Sequence, residues 1–259
     1  MHPQLTIITV NLNNFHGLKR TIQSVRDQKL KNYEFIVVDG VSKDGSVECI
    51  EENRDIIHTA IVEKDKGIYD AMNKGIGLAK GKYVIFLNSG DFFYNDDVLQ
   101  EVFENQRDED IIYGHVLSAG NVRRVPEKVT ASFILRRSLN HQGSFIKKTL
   151  FDDLGLYETR FRYDADWAFF IRAILGKKCS TYYVDRVIAV FEGGGMSSKR
   201  DFSNYKEQTE VIQYAYPEMH DFYKDYMDLV LIKKEWMNIQ NSRLHKVAFF
   251  LQKLLAKFK

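Results

Sequence analysis

Short apolar runs alternate with amphipathic stretches from Leu5 to Leu87, and each apolar run stops at polar residues. Leu5 to Val10 reads as a buried strand that ends at Asn11-Leu12-Asn13-Asn14. Leu18, Ile22 and Val25 then recur on one face of a helix. Glu34 to Val38 is a second strand stopping at Asp39, Gly45 to Asn53 suits a short helix, and Thr59 to Glu63 is a third strand. Tyr69 to Lys80 carries Met72, Ile76 and Ala79 along one helical face, and Gly81 stands near the expected left-handed C-cap. Tyr83 to Leu87 is a fourth strand, followed by Asn88-Ser89-Gly90-Asp91. This alternation predicts a mostly parallel central sheet with right-handed crossovers, flanked by helices. Ligands of such sheets bind beyond the carboxyl ends of the strands. Asn11, Asp39, Glu63-Lys64-Asp65 and Asn88 to Asp91 all fall there.

The second half is less regular. Asp110 to Val116 and Thr181 to Phe191 read as strands and Asp164 to Leu175 as a helix. Gly193-Gly194-Gly195 follows, and from Asp201 onward the pattern is helical. A length of 259 residues suits one large α/β domain with a helical appendage. A net charge of +2 gives no global pull toward nucleic acid. Cys49 and Cys179 make no disulfide framework and no zinc pair, so both thiols are expected reduced and buried, as in the cytoplasm. The strand pattern begins at Leu5, which leaves no room for a signal peptide, and no run of eighteen apolar residues occurs.

Four constellations could carry chemistry, and each also has a plain structural reading. In Asp39-Gly40-Val41-Ser42-Lys43-Asp44-Gly45-Ser46 a carboxylate at a strand end could bind a base or ribose, or could close an Asx-turn. In Glu63-Lys64-Asp65-Lys66-Gly67-Ile68-Tyr69-Asp70-Ala71-Met72-Asn73-Lys74-Gly75 a helix N-terminus could face a phosphate, or a solvated turn could precede an amphipathic helix. In Phe86-Leu87-Asn88-Ser89-Gly90-Asp91 an apolar strand delivers a carboxylate that a divalent cation could bridge to a diphosphate, or the segment is a simple turn. Asn140-His141-Gln142-Gly143 and Asp164-Ala165-Asp166-Trp167 offer a general base or only a helix cap.

Taken in order with Thr9-Val10-Asn11 and Arg172, these segments resemble the inverting family 2 glycosyltransferases of the GT-A fold, over roughly the first three-quarters of the chain. Gly67 to Gly75 and the Asn-Ser-Gly-Asp turn are most similar to bacterial enzymes of capsule, O-antigen and colanic-acid assembly. The resemblance implies an α/β, Rossmann-like GT-A domain over residues 1–200, with a nucleotide-sugar half to about 115 and an acceptor half from about 116. Residues 201–259 form a C-terminal helical extension. It implies a UDP- or GDP-sugar donor and a glycan or lipid-linked acceptor. Thr9, Asn11, Asp39, Asp65, Lys66, Asn73 and Ser89 are expected in the donor site. Asp91 is expected on Mg2+ or Mn2+, His141 and Asp164 on phosphate or acceptor, and Asp166 as the catalytic base. Asp39→Ala is expected to weaken nucleotide binding and leave the fold intact, and Asp166→Asn to abolish transfer with little change in stability.

The chain departs from the family at the metal motif. Against a Leu-Asp-x-Asp-Asp pattern the first acidic positions are Asn88 and Gly90, and only Asp91 remains. Mg2+ often uses few carboxylates beside substrate phosphates, so one can suffice. The loop Glu192 to Ser198 could close over the donor or be a surface turn. Trp236 to Lys259 holds no acidic residue and alternates Lys and Arg with Val247, Phe249, Phe250, Leu251, Leu254, Leu255 and Phe258. Such a helix could lie peripherally on the inner face of the cytoplasmic membrane, or pack on protein. The rival readings are a silent nucleotide- or sugar-binding module and a nucleotidyltransferase, but the latter expects a glycine-rich loop where Asn11 to Phe15 stands. No GxGxxG follows the first strand, which argues against a dehydrogenase.

Overall fold

The computed structural model describes residues 3–193 and 205–241. Its first half runs β1 (Leu5–Asn11), α1 (Phe15–Arg26), β2 (Tyr33–Asp39), α2 (Ser46–Glu52), β3 (Thr59–Val62), α3 (Ile68–Leu78), β4 (Tyr83–Phe86), β5 (Phe92–Phe93) and α4 (Val98–Phe103). The second runs β6 (Ile111–Ser118), β7 (Asn121–Arg123), α5 (Ala131–Ile134), β8 (Ser144–Lys147), α6 (Thr149–Leu154), α7 (Ala165–Ile171), β9 (Thr181–Phe191), α8 (Tyr205–Ala215) and α9 (His220–Asn241). One sheet is ordered β3-β2-β1-β4-β8-β6-β9-β5, with β7 on β6.

The continuous apolar runs of β1 and β2 follow from their place in the middle of this sheet, where both faces are covered. Ile8, Val10, Ile36 and Val38 face a core built with α3, α7 and α8. Leu5, Ile7, Phe35 and Val37 face the other core, with α1, α2 and α4. β1, β2, β3 and β4 pair in parallel, and Asn11 stands opposite Asp39 in the register, so the strand ends are level.

Beyond β4 the sheet becomes mixed. The four-residue strand β8, which the sequence pattern does not announce, inserts antiparallel between β4 and β6. Lys147 opposes Tyr83 and Ile146 opposes Val84, so the residues preceding β8 are carried toward the carboxyl end of β4. A one-turn 3-10 helix, His141–Gly143, occupies that place. β9 runs parallel to β6, and its end pairs with β5, which brings Phe191, Glu192 and Gly193 to the same edge.

Three expectations change in detail. Gly81 is not the left-handed cap of α3, which closes at Ala79 in an extended conformation. A Cβ on Gly81 would lie 2.4 Å from the backbone N of Thr6, so glycine is required for close approach to β1. The helix read as Asp164 to Leu175 splits into α7 and a π-helical turn, Arg172–Gly176. Cys49 is buried, whereas Cys179 is only half-buried; burial pushes both thiols up, Cys179 to about 12.

The C-terminal helices are joined to the core. Val211 and Ile212 of α8 are fully buried with α7, and Tyr223 of α9 lies 5.9 Å from Trp167. No described helix is long and apolar enough to cross a membrane. Residues 194–198 of the glycine-rich loop and 242–259 of the tail fall outside the described residues.

Candidate active site

A cavity of about 570 Å³ opens at the level carboxyl ends of the parallel strands, a size and position suited to a small-molecule ligand. Val10 to Asn14 form one wall and Asp65, Gly67, Ile68 and Ala71 another. Asn88 to Asp91, Gln142 and Phe191 to Gly193 close the remainder. Asn14 caps α1 by accepting from Gly17 N–H and donates from Nδ2 to the Ser89 carbonyl at 2.8 Å, tying two walls together. Asn11 Oδ1 and Asn88 Oδ1 are buried and accept no hydrogen bond among the described residues.

Asp91 sits on the cavity wall at 5% exposure. Burial pushes its carboxyl up to about 6, against the lowering effects of Gln142 Nε2 at 3.0 Å, the His141 charge and the Glu192 N–H. A carboxylate short of compensating charge in a ligand-sized cavity fits a divalent cation shared with phosphate oxygens. No group of three or more His, Cys, Asp or Glu could hold a metal among the described residues. Gly90, at φ 105°, explains the missing acid of the motif, because L side chains rarely take that conformation.

A second cavity of about 140 Å³ shares Ile68, Gln142 and Phe191 with the first and is lined by Tyr69, His141, Asp164, Asp166 and Trp167. Asp166 Oδ2 accepts from His141 Nδ1 at 2.8 Å. Its Oδ1 accepts from Tyr69 OH and from Trp167 N–H, each at 2.9 Å. Burial raises the Asp166 carboxyl, but these donors and the His141 charge outweigh it and hold the group below the usual carboxylate range. Burial and the Asp166 charge push Tyr69 well above the ordinary phenol value, so it stays a donor. Tyr69 comes from α3, His141 from the turn before β8 and Asp166 from α7.

Asn11, Asp65, Ser89 and Asp91 line the first cavity, and His141, Asp164 and Asp166 the second. Asp39 lies just behind the wall: fully buried, it accepts from Asn11 Nδ2 at 2.6 Å, Ser42 N at 2.7 Å and Ser42 Oγ at 2.8 Å. Three residues expected in the donor site do not line the first cavity. Thr9 is fully buried and spends its hydroxyl on the Leu87 carbonyl. Asn73 clamps the backbone of Tyr157 with both its side-chain groups. Lys66 lines a separate cavity with Arg160 and Arg162. Asp164 holds the N-cap position of α7 but makes no side-chain capping bond. Tyr69, Gln142 and Asn88 stand inside the motifs without having been singled out as site residues. Nothing local marks them, because their partners are 97, 51 and 53 residues away.

An α/β sheet thus carries a ligand-sized cavity at its level strand ends, a desolvated carboxylate in that cavity and a second carboxylate across a shared wall. The profile described as glycosyl transferase family 2 matches residues 6–175, and the chain belongs to that family. A PGL/p-HBAD biosynthesis glycosyltransferase of Mycobacterium bovis is 32% identical over 207 residues, 76% of this chain and 80% of its own. The crystal structure of S. aureus TarS 1-349 with UDP matches with a TM-score of 0.66 at 17% identity, over 81% of this chain and 64% of that one. The mannosyltransferase PcManGT from Pyrobaculum calidifontis, in complex with GDP-Man and Mn2+, matches with a TM-score of 0.60 at 16% identity, over 100% of this chain and 82% of that one. The fold is therefore GT-A-like.

Proposed function

We propose that this glycosyltransferase moves a sugar from a UDP- or GDP-sugar to a glycan or lipid-linked glycan acceptor in cell-surface glycan assembly, with inversion at the anomeric carbon. The carrying observation is the pair of cavities with a shared wall, Asp91 on one and the Asp166–His141 pair on the other. The nucleotide occupies the larger cavity, against Asn11, Asp65 and Ser89, with Asp39 setting Asn11 from behind. Asp91, together with the diphosphate, would hold Mg2+ or Mn2+, which would supply charge stabilisation for the leaving group. The acceptor enters the smaller cavity, and its hydroxyl loses a proton to the Asp166–His141 pair as its oxygen attacks the anomeric carbon from the face opposite the diphosphate. Asp164 lines the acceptor side. Residues 1–200 are the transferase unit and 201–259 its helical extension.

The names of the relatives support this reading: the mycobacterial protein is named for PGL/p-HBAD biosynthesis, and solved neighbours hold UDP, UDP-GlcNAc and GDP-Man with Mn2+. Thermal unfolding with UDP, GDP and their sugars, with and without Mn2+, tests it. One nucleotide family is expected to raise the melting temperature, more so with Mn2+, because ligands of the native state stabilise it. No shift with any of them at millimolar concentration would overturn the donor assignment.

A further inference from the structure

We propose that the groove between the end of α5 and α9 is the subsite for a phosphate ester that joins the acceptor sugar to an apolar chain, with Arg136 and Arg137 on the phosphate and α9 along the chain. The proposal rests on the transferase reading above and names the class of its acceptor. The cavity that holds Asp166 measures about 140 Å³. Sites that take up a whole drug-sized ligand start at roughly 300 Å³, so this cavity has room for only part of a glycolipid. The remainder must lie where the cavity continues. A groove of about 220 Å³ adjoins it, and Ser138, Asp164 and Trp167 line both.

The two ends of the groove differ in chemistry. At one end stand Arg136 and Arg137, just after the four-residue helix α5. Both are exposed, and neither enters an ion pair among the described residues. Arg136 Nε donates to the Ser132 carbonyl at 2.8 Å, which anchors the side chain and leaves its Nη groups for a ligand. A guanidinium offers paired N–H donors that match phosphate oxygens, and a phosphate has enough oxygens for neighbouring forks. At the other end Tyr223, Tyr226, Met227 and Val230 come from one face of α9, at the i, i+3, i+4, i+7 spacing. Trp167, at the junction with the Asp166 cavity, lies 5.9 Å from Tyr223 between ring centroids. Leu229, Ile232 and Trp236 are more than half exposed, so the outer surface of α9 beside the groove is apolar too.

The order of groups along this track is therefore fixed. Asp164 and Asp166 face sugar hydroxyls, the arginine pair faces an anion, and α9 faces a chain. A sugar joined through phosphate to a lipid carries its groups in the same order. A membrane headgroup or a protein partner would use the groove without needing its opening onto Asp166.

Three probes below their micelle concentrations test this: octyl phosphate, octyl glucoside and the octyl ester of glucose 1-phosphate. In full-length Trp236→Phe the one remaining tryptophan is Trp167, which lines the groove and reports on it by its fluorescence. Octyl phosphate is expected to change the Trp167 emission saturably, and octyl glucoside to bind about tenfold more weakly or worse. The octyl ester of glucose 1-phosphate should bind more tightly than octyl phosphate, because its sugar reaches the Asp166 cavity. Arg136→Gln combined with Arg137→Gln should weaken both phosphate probes by about tenfold or more, and leave octyl glucoside binding and the melting temperature unchanged. Lysine at both positions should recover part of the loss, since it keeps the charge without the fork. Equal affinity for octyl phosphate and octyl glucoside, or phosphate binding that survives the paired glutamine substitution, overturns the proposal. A sugar that adds nothing to octyl phosphate would make the groove a headgroup or protein site, and overturns the acceptor assignment as well. The donor reading is judged apart from these titrations. Nucleotide stabilisation without probe binding removes this subsite alone, and probe binding without nucleotide stabilisation removes the donor assignment while the phosphate subsite stands.

Discussion

Asp91 is a buried acid whose carboxyl titrates at about 6. Because its folded value lies above the unfolded one, the native state holds that proton more tightly. The contribution to stability is present below about pH 4 and is lost as pH rises through 6. The rise from 3.8 corresponds to about 3 kcal/mol at neutral pH. Asp91→Asn is therefore expected to unfold at a higher temperature than wild type at pH 7.5 without ligand, and at the same temperature at pH 4. With Mn2+ and nucleotide at pH 7.5 the order should reverse. A pH-independent difference in melting scans would refute the burial of an ionised Asp91. For Asp39 the hydrogen bonds add a stability cost to the expectation from sequence. Asp39→Ala leaves Ser42 N and Ser42 Oγ without their acceptor and Asn11 Nδ2 with only Ser42 Oγ, so it should cost about 2–3 kcal/mol in urea unfolding as well as nucleotide affinity. Unchanged urea stability would show that water replaces the carboxylate.

At the level of elements, the start of α7 carries two acids in different settings. Asp164 N–H donates to Glu207 of α8 at 3.0 Å, while Asp166 caps the Trp167 N–H and grips His141. Asp166→Asn is expected to abolish nucleoside diphosphate release and, because asparagine cannot match every donor around it, to lower stability by about 1–2 kcal/mol. Asp164→Asn should be milder in rate. Activity in the first and none in the second would reverse their assignments. Between α3 and β4, Gly81→Ala drives a methyl into the β1 backbone and should destabilise by about 1–3 kcal/mol or more. A wild-type denaturation midpoint would mean the loop shifts freely. Elements differed in how far they could be read. β1, β2 and β4 were legible because long apolar runs must be covered on both faces. β8 was not, since four residues of Ser-Phe-Ile-Lys become a strand only through the open edges of β4 and β6.

Over the whole molecule, α8 completes a core face and α9 leaves it. Leu229, Ile232 and Trp236 of α9 are 66%, 62% and 57% exposed, at spacings that share one helical face. This stripe leads toward the basic, apolar tail, and we expect the two together to bind an anionic membrane surface. Full-length protein should sediment with phosphatidylserine vesicles, and truncation before Trp236 should release it while keeping nucleotide binding. Full-length protein that stays in the supernatant would assign the stripe to protein packing. The sequence by itself determined the parallel half, the strand-end clustering of Asn11, Asp65, Ser89 and Asp91, and the family, because periodicity and turn residues act over a few neighbours. Only the tertiary structure decided that Thr9, Asn73 and Lys66 do not line the cavity at the strand ends. It also decided that Tyr69, Asn88, His141 and Asp166 meet. Those contacts span 25 to 97 residues and depend on β8 entering the sheet beside β4, which the packing of the whole core selects and no local pattern encodes.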